Sequence, residues 1–133
     1  MADQVDPPGA GDDPGAGPQP DATAAEDQIC RDILAIHEAS YDCGAASVSS
    51  HLLGDLVVVL LDGLEMLPSE DLLISQGRED VVVNVRRRFQ QAIAPTFEAA
   101  VERATGRRVI SFSSELEITE PRFAVELFRL EPV

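Results

Sequence analysis

Three groups of side chains in this chain have the chemistry to bind or react. The first is arginine. Arg86, Arg87 and Arg88 form the one positive run in a chain of formal charge -14, and Arg107 and Arg108 form a second basic pair further on. A guanidinium presents a planar fork that matches carboxylates and small anions. Arg87, Arg88, Arg107 and Arg108 are therefore candidate contacts for a small anion or for a partner's carboxylates. Successive helical residues stand about 100° apart, so Arg86, Arg87 and Arg88 do not make a single patch. Arg87 should point outward, with Arg86 and Arg88 flanking an apolar face. The plainer alternative is a solvated helix whose arginines are balanced by neighbouring acids in weak surface ion pairs.

The second group is Cys30, His37, Cys43 and His51, the soft metal ligands of the chain. Their spacing gives neither a C-x-x-C nor an H-x-x-x-H pair, so no metal site is expected. Cys30 and His37 fall near the apolar face of a helix and read as core or boundary positions. The third group is the serines, which lack a G-x-S-x-G elbow. The glycines form neither G-x-G-x-x-G nor a phosphate loop. No catalytic residue, metal or other cofactor is expected, and the chain reads as not an enzyme.

Composition narrows the partners. The net charge of -14 disfavours nucleic acid and anionic lipid, both of which repel an acidic surface. The beginning MADQVDPPGA lacks the basic and apolar regions of a signal peptide, and no run is long enough to span a bilayer. The expectation is a cytoplasmic protein with no direct membrane insertion, and its two cysteines are read as free thiols. Residues 1–22 combine five prolines with glycines and aspartates, and cannot bury enough apolar surface to offset their ordering entropy. They are predicted to be a disordered acidic tail ahead of a single domain over 23–133.

The elements that must position these residues are organised around Glu79 to Gly106. Val81, Val85, Phe89, Ile93, Phe97, Val101 and Ala104 recur every three or four residues, which predicts one long helix with one buried face. Pro95 removes a backbone donor inside that pattern, at roughly 3 kcal/mol in an ideal helix. The apolar pattern continues past it, so a single kinked helix is expected, re-aiming Phe97 and Val101. Thr23 and Glu26 have capping-box spacing, and Ile29, Ile33, Ile36 and Ser40 mark a first helix ending near Gly44. Ala46 to Leu53 and Leu56 to Leu61 read as a hairpin turning at Gly54 and Asp55. A short helix follows Pro68. Arg108 to Ile118 and Phe123 to Leu130 read as two further strands.

The resulting order is a repeated αββ unit. It predicts an α+β fold with a four-stranded, mainly antiparallel sheet and helices on one face, in a permuted ferredoxin-like arrangement. The strands from Leu56 and Phe123, the most apolar, are expected at the centre as a parallel pair, with the serine- and glutamate-bearing strands at the edges. In LVVVLL both alternating sets are apolar, and the helices cover one face only. A second copy is therefore expected on the other, with Val57, Val59 and Leu61 as its candidate dimer face. The alternative is that the short helix from Ser69 folds over that face.

The stretches DLVVVLLDGL, GRE followed by VRRRFQQAIAPTFEAAVERATGRRVISFSSE, and AVELFRLE resemble the MpsC family of small bacterial proteins, whose name refers to a sodium-translocating, membrane-potential-generating system. The resemblance runs from about Glu26 to Glu131 and is most specific from Val85 to Ser114. Two departures stand out. Members often carry a Gly-Pro-basic turn after the first helix, where this chain has Cys43-Gly44-Ala45-Ala46, and a Thr-Pro helix start, where it has Leu67-Pro68. The resemblance implies a soluble accessory protein of ion or inorganic-carbon uptake machinery, within reach of a membrane transport complex. The alternative from a different class is a regulatory module holding a small anion on its arginines.

Overall fold

The computed structural model describes residues 21–133; the tail expected over residues 1–22 lies outside them save for its last two positions. Helix α1 (Ala22–Tyr41) is capped by Asp21, whose carboxylate accepts the Ala24 N–H at 3.2 Å. Thr23 is thus not the cap. Glu26, its expected capping-box partner, accepts the Leu52 N–H at 2.8 Å and ties α1 to the sheet. The helix ends earlier than expected, on Asp42 in the left-handed region at φ 58°, donating its N–H to Glu38. Ala25, Ile29, Ile33, His37 and Tyr41 recur every fourth residue and form its buried face.

Strands β1 (Ala45–Leu53) and β2 (Leu56–Leu64) are joined by the Gly54–Asp55 turn, where Gly54 takes the positive φ that the tight connection demands. Helix α2 (Pro68–Ser75) starts on its proline. The Glu70 carboxylate reaches back to accept the Leu67 N–H at 2.8 Å. Helix α3 (Glu79–Thr105) carries Pro95 in its interior and ends on Gly106 at φ 70°. Strands β3 (Val109–Glu117) and β4 (Phe123–Leu130) complete the chain.

The four strands lie in the order β1-β2-β4-β3, and every neighbouring pair is antiparallel. β2 and β4 are central, as expected, but they do not run parallel. The path through α2 and α3 brings β3 back in the direction of β2, and the turn into β4 reverses it. β4 then occupies the gap between β2 and β3, antiparallel to both.

Helices α1 and α3 cover one face. Ile29 and Ile33 of α1 and Phe97, Val101 and Ala104 of α3 pack on Val57, Val59, Leu61, Ala124, Phe128 and Leu130. Each of the Ile, Val, Leu and Phe side chains removed from water stabilises the fold by roughly 1.5–3 kcal/mol. Phe112 bridges Phe97 and Phe128, with ring centroids 6.4 and 4.8 Å away.

The buried stripe of α3 changes phase along its length. Past Pro95 it is Phe97, Ala100, Val101 and Ala104, close to expectation. Before Pro95 the buried positions are Val82 and Arg86, while Val85 and Phe89 are 45% and 47% exposed. Val85 and Phe89, expected to be buried, thus lie toward solvent and a guanidinium takes their place, while Ile93 packs against the core.

Candidate functional site

Arg86 is the first residue to explain, because a cation only 3% exposed is costly unless it is paired. Its Nε and one terminal nitrogen each donate at 2.7 Å to the two oxygens of Glu70, a bidentate fork between α3 and α2. The same nitrogen also donates to the Glu65 carbonyl at 3.0 Å and to the Cys43 sulfur at 3.3 Å. The guanidinium stands 4.9 Å from the centroid of the Tyr41 ring. Burial alone would raise the Glu70 carboxyl, but the Arg86 hydrogen bonds, the Leu67 N–H and the Arg86 charge hold it below the usual carboxylate range. This cluster joins α1, α2, α3 and the end of β2 with its charges matched.

One turn further along α3 the pattern differs. Gln90 accepts the Tyr41 hydroxyl at 3.0 Å, and its Nε2 donates to Oε2 of Glu126. Glu126 lies on the helix-facing side of β4, paired with Val59 and Ser114 and 1% exposed. Its other oxygen, Oε1, has no hydrogen-bond partner among the described residues. Burial pushes its pKa up to about 7, and the Gln90 amide offsets only part of that rise. Nearby, His37 is 4% exposed with Nε2 also unpartnered. Burial, and then the Arg86 charge, push it down to about 4, so it is neutral at physiological pH. Burial likewise pushes Tyr41 up to about 12, against the lowering effect of Arg86.

These groups border a cavity of about 420 Å³ between α1, the middle of α3 and the β3–β4 side of the sheet. His37, Tyr41, Arg86, Gln90, Gln91 and Glu126 supply its polar lining. Leu64, Ala94, Phe112, Leu116 and Ala124 supply apolar walls, with Arg87, Glu98, Ser113 and Ser114 also on its surface. A pocket of this size, apolar with a few buried polar groups, is the usual form of a small-ligand site. Proton exchange and hydrogen bonding to a ligand are the chemistry open to it. Among the described residues, no group of three or more His, Cys, Asp and Glu side chains gathers to hold a metal ion.

The four arginines singled out in the sequence do not converge. Arg87 lines the cavity, and Arg88 is exposed. Arg107 and Arg108 lie past the far end of α3, about 27 Å away by helix rise from Arg87 to Thr105. There Arg107 clips the molecule together, donating to the carbonyls of Gly54 at 3.0 Å and Glu131 at 2.9 Å and to the Asp55 carboxylate. Arg108 pairs with Glu131 on the surface at 3.2 Å.

Val57, Val59 and Leu61 require a correction as well. All three are 0% exposed, packed under α1 and α3, so they form the core rather than a dimer face. The face open to a second copy is the alternate one, where Leu56, Val58 and Leu60 of β2 adjoin Phe123, Val125 and Leu127 of β4, all half-buried.

Sequence reasoning placed Arg86 beside the apolar face of α3 without assigning it a partner, and assigned no role to Gln90 or Glu126. The signal for Glu126 is its alternation with Ala124, Phe128 and Leu130 on one face of β4. Arg86 and Gln90 carry an i, i+4 signal that apolar periodicity does not see.

The family model described as Na+-translocating membrane potential-generating system (MpsC) matches residues 22–131. No curated protein and no solved structure matches the chain. Among the described residues, no helix is long and apolar enough to cross a membrane.

Proposed function

The chain belongs to the MpsC family, and from that premise we propose that it is a non-enzymatic, cytoplasmic accessory protein of a membrane system translocating Na+ or inorganic carbon, acting as a homodimer. The observation that carries the oligomeric part is the outer face of the sheet. α1 and α3 cover the opposite face, and α2, the segment expected to compete for this one, packs on α3. Leu56, Val58, Leu60, Phe123, Val125 and Leu127 therefore form a contiguous apolar surface at the centre of the sheet. Soluble monomers rarely leave such a surface in water. Two copies stacked sheet to sheet, about 10 Å apart, would bury it on both sides.

Light scattering on the purified protein tests the oligomer. A dimer is expected, and Val58→Asp should yield a folded monomer, whereas Val57→Asp, inside the core, should unfold the chain. A wild-type monomer that stays soluble at high concentration contradicts the dimer. The accessory role is tested by pull-down from native membranes. Recovery of subunits of an ion- or inorganic-carbon-translocating system supports it, and failure to recover any under conditions that keep such a complex intact contradicts it.

A regulatory ligand-binding role is favoured by a separate observation, the cavity bordered by Glu126. A small anion held jointly by Arg87, Arg88, Arg107 and Arg108 lacks a common pocket. A thermal shift with bicarbonate, absent in Arg87→Ala, would restore the anion reading through Arg87 alone.

A further inference from the structure

We propose that the cavity between α1, α3 and the β3–β4 side of the sheet binds a small organic cation, a primary ammonium on an apolar body, with Glu126 as its counter-ion and His37 as a second acceptor. The proposal goes beyond the accessory role and is independent of the dimer, which uses the opposite face of the sheet.

The buried groups define the ligand. Glu126 Oε1 and His37 Nε2 are the two buried side-chain atoms without hydrogen-bond partners among the described residues. An ionised carboxylate accepts hydrogen bonds, and so does a neutral imidazole at Nε2 when its proton is on Nδ1. Gln90 already donates to Glu126 Oε2, so a ligand must complete the site at Oε1 with a donor. A cationic donor fits best, because the carboxylate forms no ion pair among the described residues. Arg86, the nearest buried cation, is committed to Glu70 at 2.7 Å on two hydrogen bonds. From α3, Arg86, Arg87 and Glu98 line the cavity, the Arg86 charge being matched by Glu70; from α1 the titratable groups are His37 and Tyr41, and β3 contributes Ser113 and Ser114 without charge. The apolar body of the ligand is matched by Leu64, Ala94, Phe112 and Leu116. The net charge of -14 also raises the local concentration of cations.

Binding carries a proton balance. Where Glu126 is protonated, the ammonium displaces that proton to solvent and leaves a carboxylate–ammonium pair. Where it is already ionised, no proton is released. Affinity must therefore rise with pH through the range in which Glu126 ionises, at about 7. Between pH 5.5 and pH 8 the expected gain is about 30-fold.

The test is calorimetric titration of the full chain with n-butylammonium chloride at pH 5.5 and 8, against sodium chloride and sodium butyrate at matched ionic strength. Saturable binding of butylammonium that tightens about 30-fold at the higher pH, and that is lost in Glu126→Gln, is the expected result. A second readout needs no variant. In the 13C-labelled wild type at pH 6.5, butylammonium should drive the Glu126 carboxyl resonance to its ionised position. No saturable binding at pH 8, equal binding by folded Glu126→Gln, preference for butyrate, or an equal response to sodium chloride alone would each overturn the proposal. So would a Glu126 resonance that butylammonium leaves in place.

Discussion

Arg86 and Gln90 lie one turn apart on the same face of α3, yet the two polar clusters they anchor are built to opposite rules. Around Arg86, the guanidinium has Glu70, Glu65 and Cys43 as partners and Tyr41 beneath it, so a buried charge is matched by an opposite one. Around Gln90, Glu126 is buried with one oxygen partnered and the other not, and His37 beside the same cavity leaves Nε2 unpartnered. The first arrangement locks three helices to the sheet. The second leaves groups with unspent hydrogen-bonding capacity at the edge of a cavity, which weakens the fold unless something else uses them. Burial of a charge is thus not by itself the mark of a site; burial without completed partners next to open volume is.

The contrast can be broken most severely at Arg86. Arg86→Met strands Glu70, whose side chain is only 13% exposed, and should cost about 3–5 kcal/mol in denaturant unfolding. A cost under 1 kcal/mol would show that the cluster does not lock the helices. At Glu126 the sign reverses. Its folded pKa of about 7 stands above the ordinary 4.5, so the folded protein holds that proton more tightly than the unfolded chain does. The stability this gives is complete below about pH 4.5 and is lost as pH rises through 7, a change of about 3 kcal/mol. Glu126→Gln should remove this loss, making the variant the more stable protein at pH 8. Parallel stability–pH curves for the two proteins would contradict the reading.

His37 sharpens the comparison from the acid side. Its folded pKa of about 4, below the ordinary 6.5, means stability is full above 6.5 and falls as pH drops through 4, by about 2 kcal/mol at pH 5. His37→Leu should flatten that limb of the curve. The smallest effect belongs to Tyr41, which touches both clusters by donating toward the Arg86 carbonyl at 3.1 Å and Gln90 at 3.0 Å. Tyr41→Phe should cost about 1–2 kcal/mol, and it should also loosen Gln90, measurable as faster hydrogen exchange at the α1–α3 contact.

Much of the fold was legible because its signals are local. The Gly54–Asp55 turn, the Gly106 helix end and the central placement of β2 and β4 all follow from residue type and apolar content. The parts that failed depend on long-range packing. In β2 both alternating sets are apolar, so period two separates Val57, Val59 and Leu61 from Leu56, Val58 and Leu60 without saying which set meets the helices. In α3 the apolar row Val81, Val85 and Phe89 outweighed Val82, Arg86 and Gln90, because Arg86 is buried only by virtue of Glu70, a residue on another helix. Glu126 was hidden for the same reason. Nothing in FAVELFRL says that its partner is a glutamine on α3, or that its second oxygen has none.

The difference between the two clusters comes to one observable, the ionisation of Glu126 in the folded wild-type protein. A 13C-detected pH titration of its side-chain carboxyl should show a midpoint near 7, while the carboxyl of Glu70, fixed by Arg86, stays ionised below the ordinary range. A Glu126 midpoint near the roughly 4.3 of a solvated glutamate would mean that its charge is already compensated, and the distinction between a completed cluster and an open one would fail.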